Sequence, residues 1–328
     1  MAQSRADLRS ASSETTQSGV APSLIAAIDD LELSARVVVE GLRIGDHRSP
    51  FQGAGAEFHQ HRPYRSGDDL KHLDWKLFAR SDRLYTRRYR ESTNVGVMLV
   101  VDTSGSMDHP PGAANSKLRY AVLLAAALAH LATEQGNAVG LMSLAPTISQ
   151  DDSRVRYVPA RRGRVHRRVV MAALDALQPG GLWDPPLAIG RAAELLQRRG
   201  LIIVLSDFYD EPDATRRELR HVARHGHDVA LLQLVAADER RLPFTRQVQV
   251  VEPETGQRLL IDPEQDAAAY GEAHAAFLRE WQDFARQEGI DHARIDCDLP
   301  PEQTLRDYLL RRMRGAAAHH SAHEHTAG

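Results

Sequence analysis

The sequence predicts an α/β protein: a doubly wound, mostly parallel sheet preceded by an N-terminal helix and an irregular strap. Three observations carry this. Residues 95–101 and 201–205 are apolar or glycine throughout, as suits strands buried on both faces of a parallel sheet. Each run breaks off into polar residues, Asp102, Ser104 and Ser106 after the first and Ser206-Asp207 after the second. Downstream of residue 95, strand-length runs alternate with stretches at helical spacing, the pattern of strands joined by crossover helices.

Taken in order, residues 1–20 are rich in Ser, Thr, Ala and Gln and are expected to be disordered. Residues 21–92 form the helix and strap. Leu24, Ile25, Ile28, Leu31, Ala35 and Val38 share a helical face over residues 22–40, with Pro22 suited to the first turn and Gly41 to the end. From residue 44 to 91 the pattern is irregular and extended, and residues 87–91 are expected to lie as an edge or crossover against the first strand. Residues 93–314 form the sheet domain. Strand 95–101 is followed by helix 117–135, strand 138–144, a short strand at 155–158 and helices 164–177 and 187–198. Strand 201–205, helix 214–224 and strand 229–235 come next. Residues 247–251 and 258–261 read as a hairpin. Asp262-Pro263 caps a long helix to residue 287, and strand 290–295 and helix 302–314 complete the series. Residues 315–328, with His319, His320, His323 and His325, are expected to be a disordered tail.

Composition narrows the function. The net charge is −3, with no global bias toward nucleic acid or a membrane surface. The single cysteine, Cys297, excludes an internal disulfide and suits a reducing compartment. No signal-peptide core is present at the start. The most apolar helical stretch, residues 120–132, is shorter than the ~20 residues a bilayer requires. A cytoplasmic location without membrane insertion is expected.

The chemistry concentrates at Asp102, Ser104 and Ser106. They follow the end of a strand, where open α/β sheets hold ligands at the point of strand-order reversal. If strands 95–101 and 201–205 are neighbours, Asp207 joins them. Two carboxylates converging on one point repel each other unless a cation lies between them, and hard oxygen donors suit Mg²⁺. The D-x-S-x-S motif resembles the metal-ion-dependent adhesion site of von Willebrand factor A domains, which implies a Rossmann-type sheet and a metal that binds a carboxylate from a protein partner. That pattern also has a threonine, and here its position falls on Leu182 or Trp183, neither of which can ligate. Asp184 next door is an auxiliary candidate, and affinity for Mg²⁺ is expected to be weak or lost.

A second signature lies ahead of the first strand: Gly53-x-Gly55-x-Glu57-Phe58, Arg62-Pro63-Tyr64, Gly67-Asp68-Asp69, Asp74-Trp75, Ala79-Arg80 and Glu91. This order resembles the bacterial DUF58 family on a von Willebrand A-like fold, over residues 40–310. The resemblance implies a partner, a MoxR-type AAA+ ATPase, since genes of the two kinds commonly adjoin. Residues 59–90 hold nine Lys/Arg and four Asp among aromatics. Such a mixture binds nucleic acid or folds as a salt-bridged strap, and the interspersed acids favour the strap. A second basic run, residues 154–168, has seven arginines and no acid. It reads equally as a solvated helix start and as a dock for an acidic surface.

Two functions follow. The first is a non-enzymatic, metal-dependent adaptor joining a MoxR-type ATPase to an acidic-residue-bearing client. The alternative is a metal-dependent hydrolase or phosphatase in the same cleft. For the latter, G-x-x-x-x-G-K-[ST], G-x-S-x-G and H-E-x-x-H motifs are all absent, and His109, close to the cleft, reads either as a base or as a lone loop histidine without a role.

Overall fold

The computed structural model describes residues 30–42, 56–63, 77, 78, 80, 83–91, 95–113, 116–144, 155–180, 183–196, 198–210, 212–240, 246–251 and 258–325. The segment expected to be disordered at the start, and Tyr64, Gly67, Asp68, Asp69, Asp74 and Trp75 of the family signature, lie outside them.

Helix α1 (Leu31–Gly41) starts at Asp30, whose carboxylate accepts the Leu33 N–H at 3.1 Å; this is a helix N-cap. In the strap, β1 (Ala56–Pro63) pairs antiparallel with β2 (Tyr85–Glu91) as a separate two-stranded sheet. This corrects the expectation that residues 87–91 lie against the central strand. The register sets Glu57 opposite Arg90 and Phe58 opposite Tyr89.

The main sheet has six strands: β3 (Gly96–Val101), β4 (Ala138–Leu144), β5 (Val155–Arg161), β6 (Leu201–Ser206), β7 (Asp228–Val235) and β10 (Asp291–Asp296). Their spatial order is β10-β7-β6-β3-β4-β5, all parallel except the edge strand β5. The chain moves outward from β3 through β4 to β5, then returns to the other side of β3 through β6, β7 and β10. The strand order therefore reverses between β3 and β6, as the doubly wound expectation requires. β5 runs three residues past its predicted end. Pro159 falls within the register shift opposite Gly140, a place where the ladder tolerates a missing N–H.

Helices α2 (Lys117–Glu134), α3 (Arg164–Asp175), α4 (Pro185–Leu195), α5 (Pro212–Arg224), α6 (Pro263–Glu288) and α7 (Pro301–His325) cover the sheet. On one face, residues of α1, α2, α3 and α7 pack with Val97, Leu99 and Val101 of β3 and Leu201, Ile203 and Leu205 of β6. On the other, α4, α5 and α6 pack with Met98 and Val100 and with Ile202 and Val204. The strict alternation along β3 and β6 is why both runs are apolar throughout: each face meets a helix layer. A short hairpin, β8 (Val248–Val251) with β9 (Arg258–Ile261), precedes α6.

The backbone of α7 is helical to His325. Ala316, Ala317 and Ala318 are the strongest helix formers and let the turn propagate. Among the described residues, no helix is long and apolar enough to cross a membrane.

Candidate functional site

The register between β3 and β6 sets Val101 opposite Leu205, so Asp102 and Ser206 leave the sheet side by side. The Asp102 N–H donates to the Leu205 carbonyl at 3.0 Å. Its carboxylate accepts the Ser104 N–H at 2.8 Å on Oδ1 and the Ser206 hydroxyl at 2.5 Å on Oδ2. Asp102 is 1% exposed. Burial, with the nearby charge of Asp207 added, pushes its carboxyl up to about 7 against the hydrogen bonds from Ser206 and Ser104. A 3-10 turn, Gly105–Asp108, follows, and the Ser104 and Ser106 hydroxyls lie 2.9 Å apart. Thr103 points the other way, donating to the Leu144 carbonyl at 2.8 Å. Thus Asp102, Ser104, Ser106 and Asp207 all stand at the carboxyl end of the sheet, on the loops after β3 and β6.

Asp207 is equally buried, and its partner was not legible in the sequence. Lys117, the first residue of α2, is 1% exposed and places Nζ 2.7 Å from Asp207 Oδ2. The same ammonium lies 2.5 Å from Glu239 Oε1, in the 3-10 turn Asp238–Arg240 after β7. Glu239 Oε2 accepts the Ala236 N–H at 2.7 Å, and the Tyr270 hydroxyl donates to the Glu239 carbonyl at 2.8 Å. The face of Tyr209 closes another side, 5.1 Å from Nζ. Burial pulls the Lys117 pKa down; the charges of Asp207 and Glu239 outweigh it and hold the ammonium above its ordinary pKa.

The other candidates are used elsewhere. Asp184 caps α4, accepting the Leu187 N–H at 2.9 Å. Trp183 is buried in the core and Leu182 lies outside the described residues. His109 pairs with Asp238 at 2.8 Å. Cys297 is buried, and burial holds its thiol well above the ordinary range. Pro63 and Arg80 are exposed, and Arg62 sits in β1. Of the second basic run, Arg156, Arg161, Arg162, Arg164 and Arg168 are exposed, whereas Arg167 is buried and bridges Glu32 and Glu134.

The pattern of the family described as "Protein of unknown function DUF58" matches residues 60–278. The chain belongs to the DUF58 family. It is 31% identical over 262 residues to uncharacterized proteins of Mycobacterium bovis and Mycobacterium tuberculosis, covering 78% of this chain and 80% of theirs. Similar solved structures include an aerotolerance-related membrane protein from Bacteroides fragilis, at 16% identity and TM-score 0.43, covering 66% of this chain and all of that one. BatB from Bacteroides thetaiotaomicron matches at 15% identity and TM-score 0.43, over 67% of this chain and all of that one.

The side chains of this DUF58 protein do not suit a divalent ion. Asp207 Oδ2 is taken by the Lys117 ammonium, both Asp102 oxygens hold donors, and the two serine hydroxyls are bonded to each other. Among the described residues, no three His, Cys, Asp or Glu are grouped to hold a metal. At an effective dielectric of ~20, a divalent ion about 4 Å from an ammonium is repelled by roughly 8 kcal/mol. The carboxylate repulsion that argued for a metal in the sequence has another answer on the Asp207 side: a cation supplied by the chain.

Proposed function

We propose that this DUF58 protein is a non-enzymatic protein-binding adaptor. It engages partners through the carboxyl end of its sheet and works with a MoxR-type AAA+ ATPase in maturing or remodelling a client. The observation that carries this reading is the mutual satisfaction of the crevice. Asp102, Ser104, Ser106, Ser206, Asp207, Lys117 and Glu239 are bonded to one another or to local backbone. Such a network holds a shape, whereas turnover calls for a base or nucleophile poised toward a substrate. Around it, Ser106, Asp108, His109 and Tyr209 are partly exposed and form a rim. The Ser106 hydroxyl is the donor that an acidic client side chain would meet.

Co-purification with the MoxR-type ATPase of the same organism tests the reading. Ser106→Glu is expected to weaken the complex at least ~10-fold, while circular dichroism and the melting midpoint stay unchanged. Full binding by this variant, or no binding by the wild type, would overturn it.

A further inference from the structure

We infer that Lys117 is a built-in cation that replaces a divalent metal in this crevice, so that the site is assembled and held without any ion. The inference concerns the charge of the crevice and is independent of which protein docks there.

Three features carry it. The first is position: Lys117 heads α2, yet its side chain turns back beneath the loops after β3, β6 and β7 and meets Asp207 at 2.7 Å and Glu239 at 2.5 Å. A lysine in the first helical turn faces the positive end of the helix dipole, an unfavourable place for a cation unless specific anions hold it. The second is enclosure. Lys117 and Asp207 are each 1% exposed and Glu239 is 13% exposed at its side chain, and the Tyr209 ring covers the ammonium. A buried lysine is retained as a charge only where paired carboxylates surround it. The third is what the ammonium joins. Asp207 extends from β6, Glu239 anchors the turn after β7 through Ala236 and Tyr270, and Lys117 begins α2. One Nζ ties three separate loops, the organising role a metal plays by drawing ligands from several strand ends. His109 with Asp238 makes a second tie, at 2.8 Å, between the loop that leads into α2 and the turn after β7.

Removing the ammonium while leaving the acids should uncover a cation site. Lys117→Met keeps an unbranched stem without the ammonium and leaves Asp207 and Glu239 facing each other. The full chain is melted in EDTA and in millimolar MgCl₂, CaCl₂ or MnCl₂, and Mn²⁺ uptake is measured by calorimetry. For the wild type, the midpoints in chelator and in each ion are expected to coincide, with no Mn²⁺ heat. Lys117→Met is expected to melt lower in EDTA, to recover with divalent ions, and to bind Mn²⁺ at least ~10-fold more tightly than the wild type. Stoichiometric Mg²⁺ or Mn²⁺ uptake by the wild type that is lost on Asp207→Asn would overturn the inference and leave the adaptor reading intact. A folded Lys117→Met protein indifferent to every ion would also overturn it. If Lys117→Met does not fold, the neutral triple variant Lys117→Met, Asp207→Asn, Glu239→Gln decides. Recovery of an ion-independent fold supports a purely charge-balancing lysine, and failure to recover overturns it.

Discussion

The Phe208 ring packs on Trp281 with centroids 4.7 Å apart, and Phe208 is the residue directly after Asp207. Its φ is +62°, in the left-handed region where a non-glycine residue is strained. The contact with α6, together with the Phe208 N–H to the Ser206 hydroxyl at 2.8 Å, holds that turn and with it the carboxylate that meets Lys117. Trp281→Ala is therefore expected to cost about 3–5 kcal/mol, read as a lower denaturant midpoint with an unchanged slope. Hydrogen exchange at Tyr209 should rise in the same variant.

Ser206 both donates to Asp102 and accepts from Phe208. Ser206→Ala strands a buried carboxylate oxygen and a buried N–H at once. A loss of about 2–3 kcal/mol is expected, measured by urea unfolding. Ser206→Ala with Asp102→Asn should lose less than the sum of the two single changes.

Gly140 is a spacing device. A Cβ there would stand 2.7 Å from the Val158 carbonyl and 2.8 Å from the Ala160 nitrogen, both backbone atoms of β5. Gly140→Ala should force the edge strand away and destabilise the fold by about 1–3 kcal/mol. The faster exchange of the β5 amides would report it.

His292 gives a pH dependence. Burial, with repulsion from Arg311, lowers its pKa to about 4, and its Nε2 lies 3.0 Å from Gln233 Oε1. The unfolded chain takes up this proton near its ordinary value of about 6.5, and the folded chain resists it until about 4. The histidine's contribution is thus complete above about 6.5 and is lost as pH falls toward 4. The difference in stability between wild type and His292→Gln should show this slope.

Much of the frame was legible because burial on both faces leaves a mark in one dimension. The runs ending at Val101 and Leu205 had to be neighbouring central strands for Asp102 and Asp207 to share a crevice, and the register bears this out. The cation was not legible, because Lys117 finds its acids 90 and 122 residues away, and no local pattern marks such a pairing. A hint was present in its place at the head of a helix, against the dipole. The pairing of β1 with β2 was missed for the same reason: neither strand alternates cleanly, and the partner lies more than twenty residues away.

Pro159 has a consequence for how the molecule meets its own copies. One margin of the main sheet is β5, the antiparallel strand of that sheet, broken in register at Pro159 and flanked by the exposed Arg156 and Arg161. A strand laid along that margin would meet a bend and like charges from its twin. The register shift that lets the ladder bend around Gly140 thus also disfavours fibrous stacking from this side.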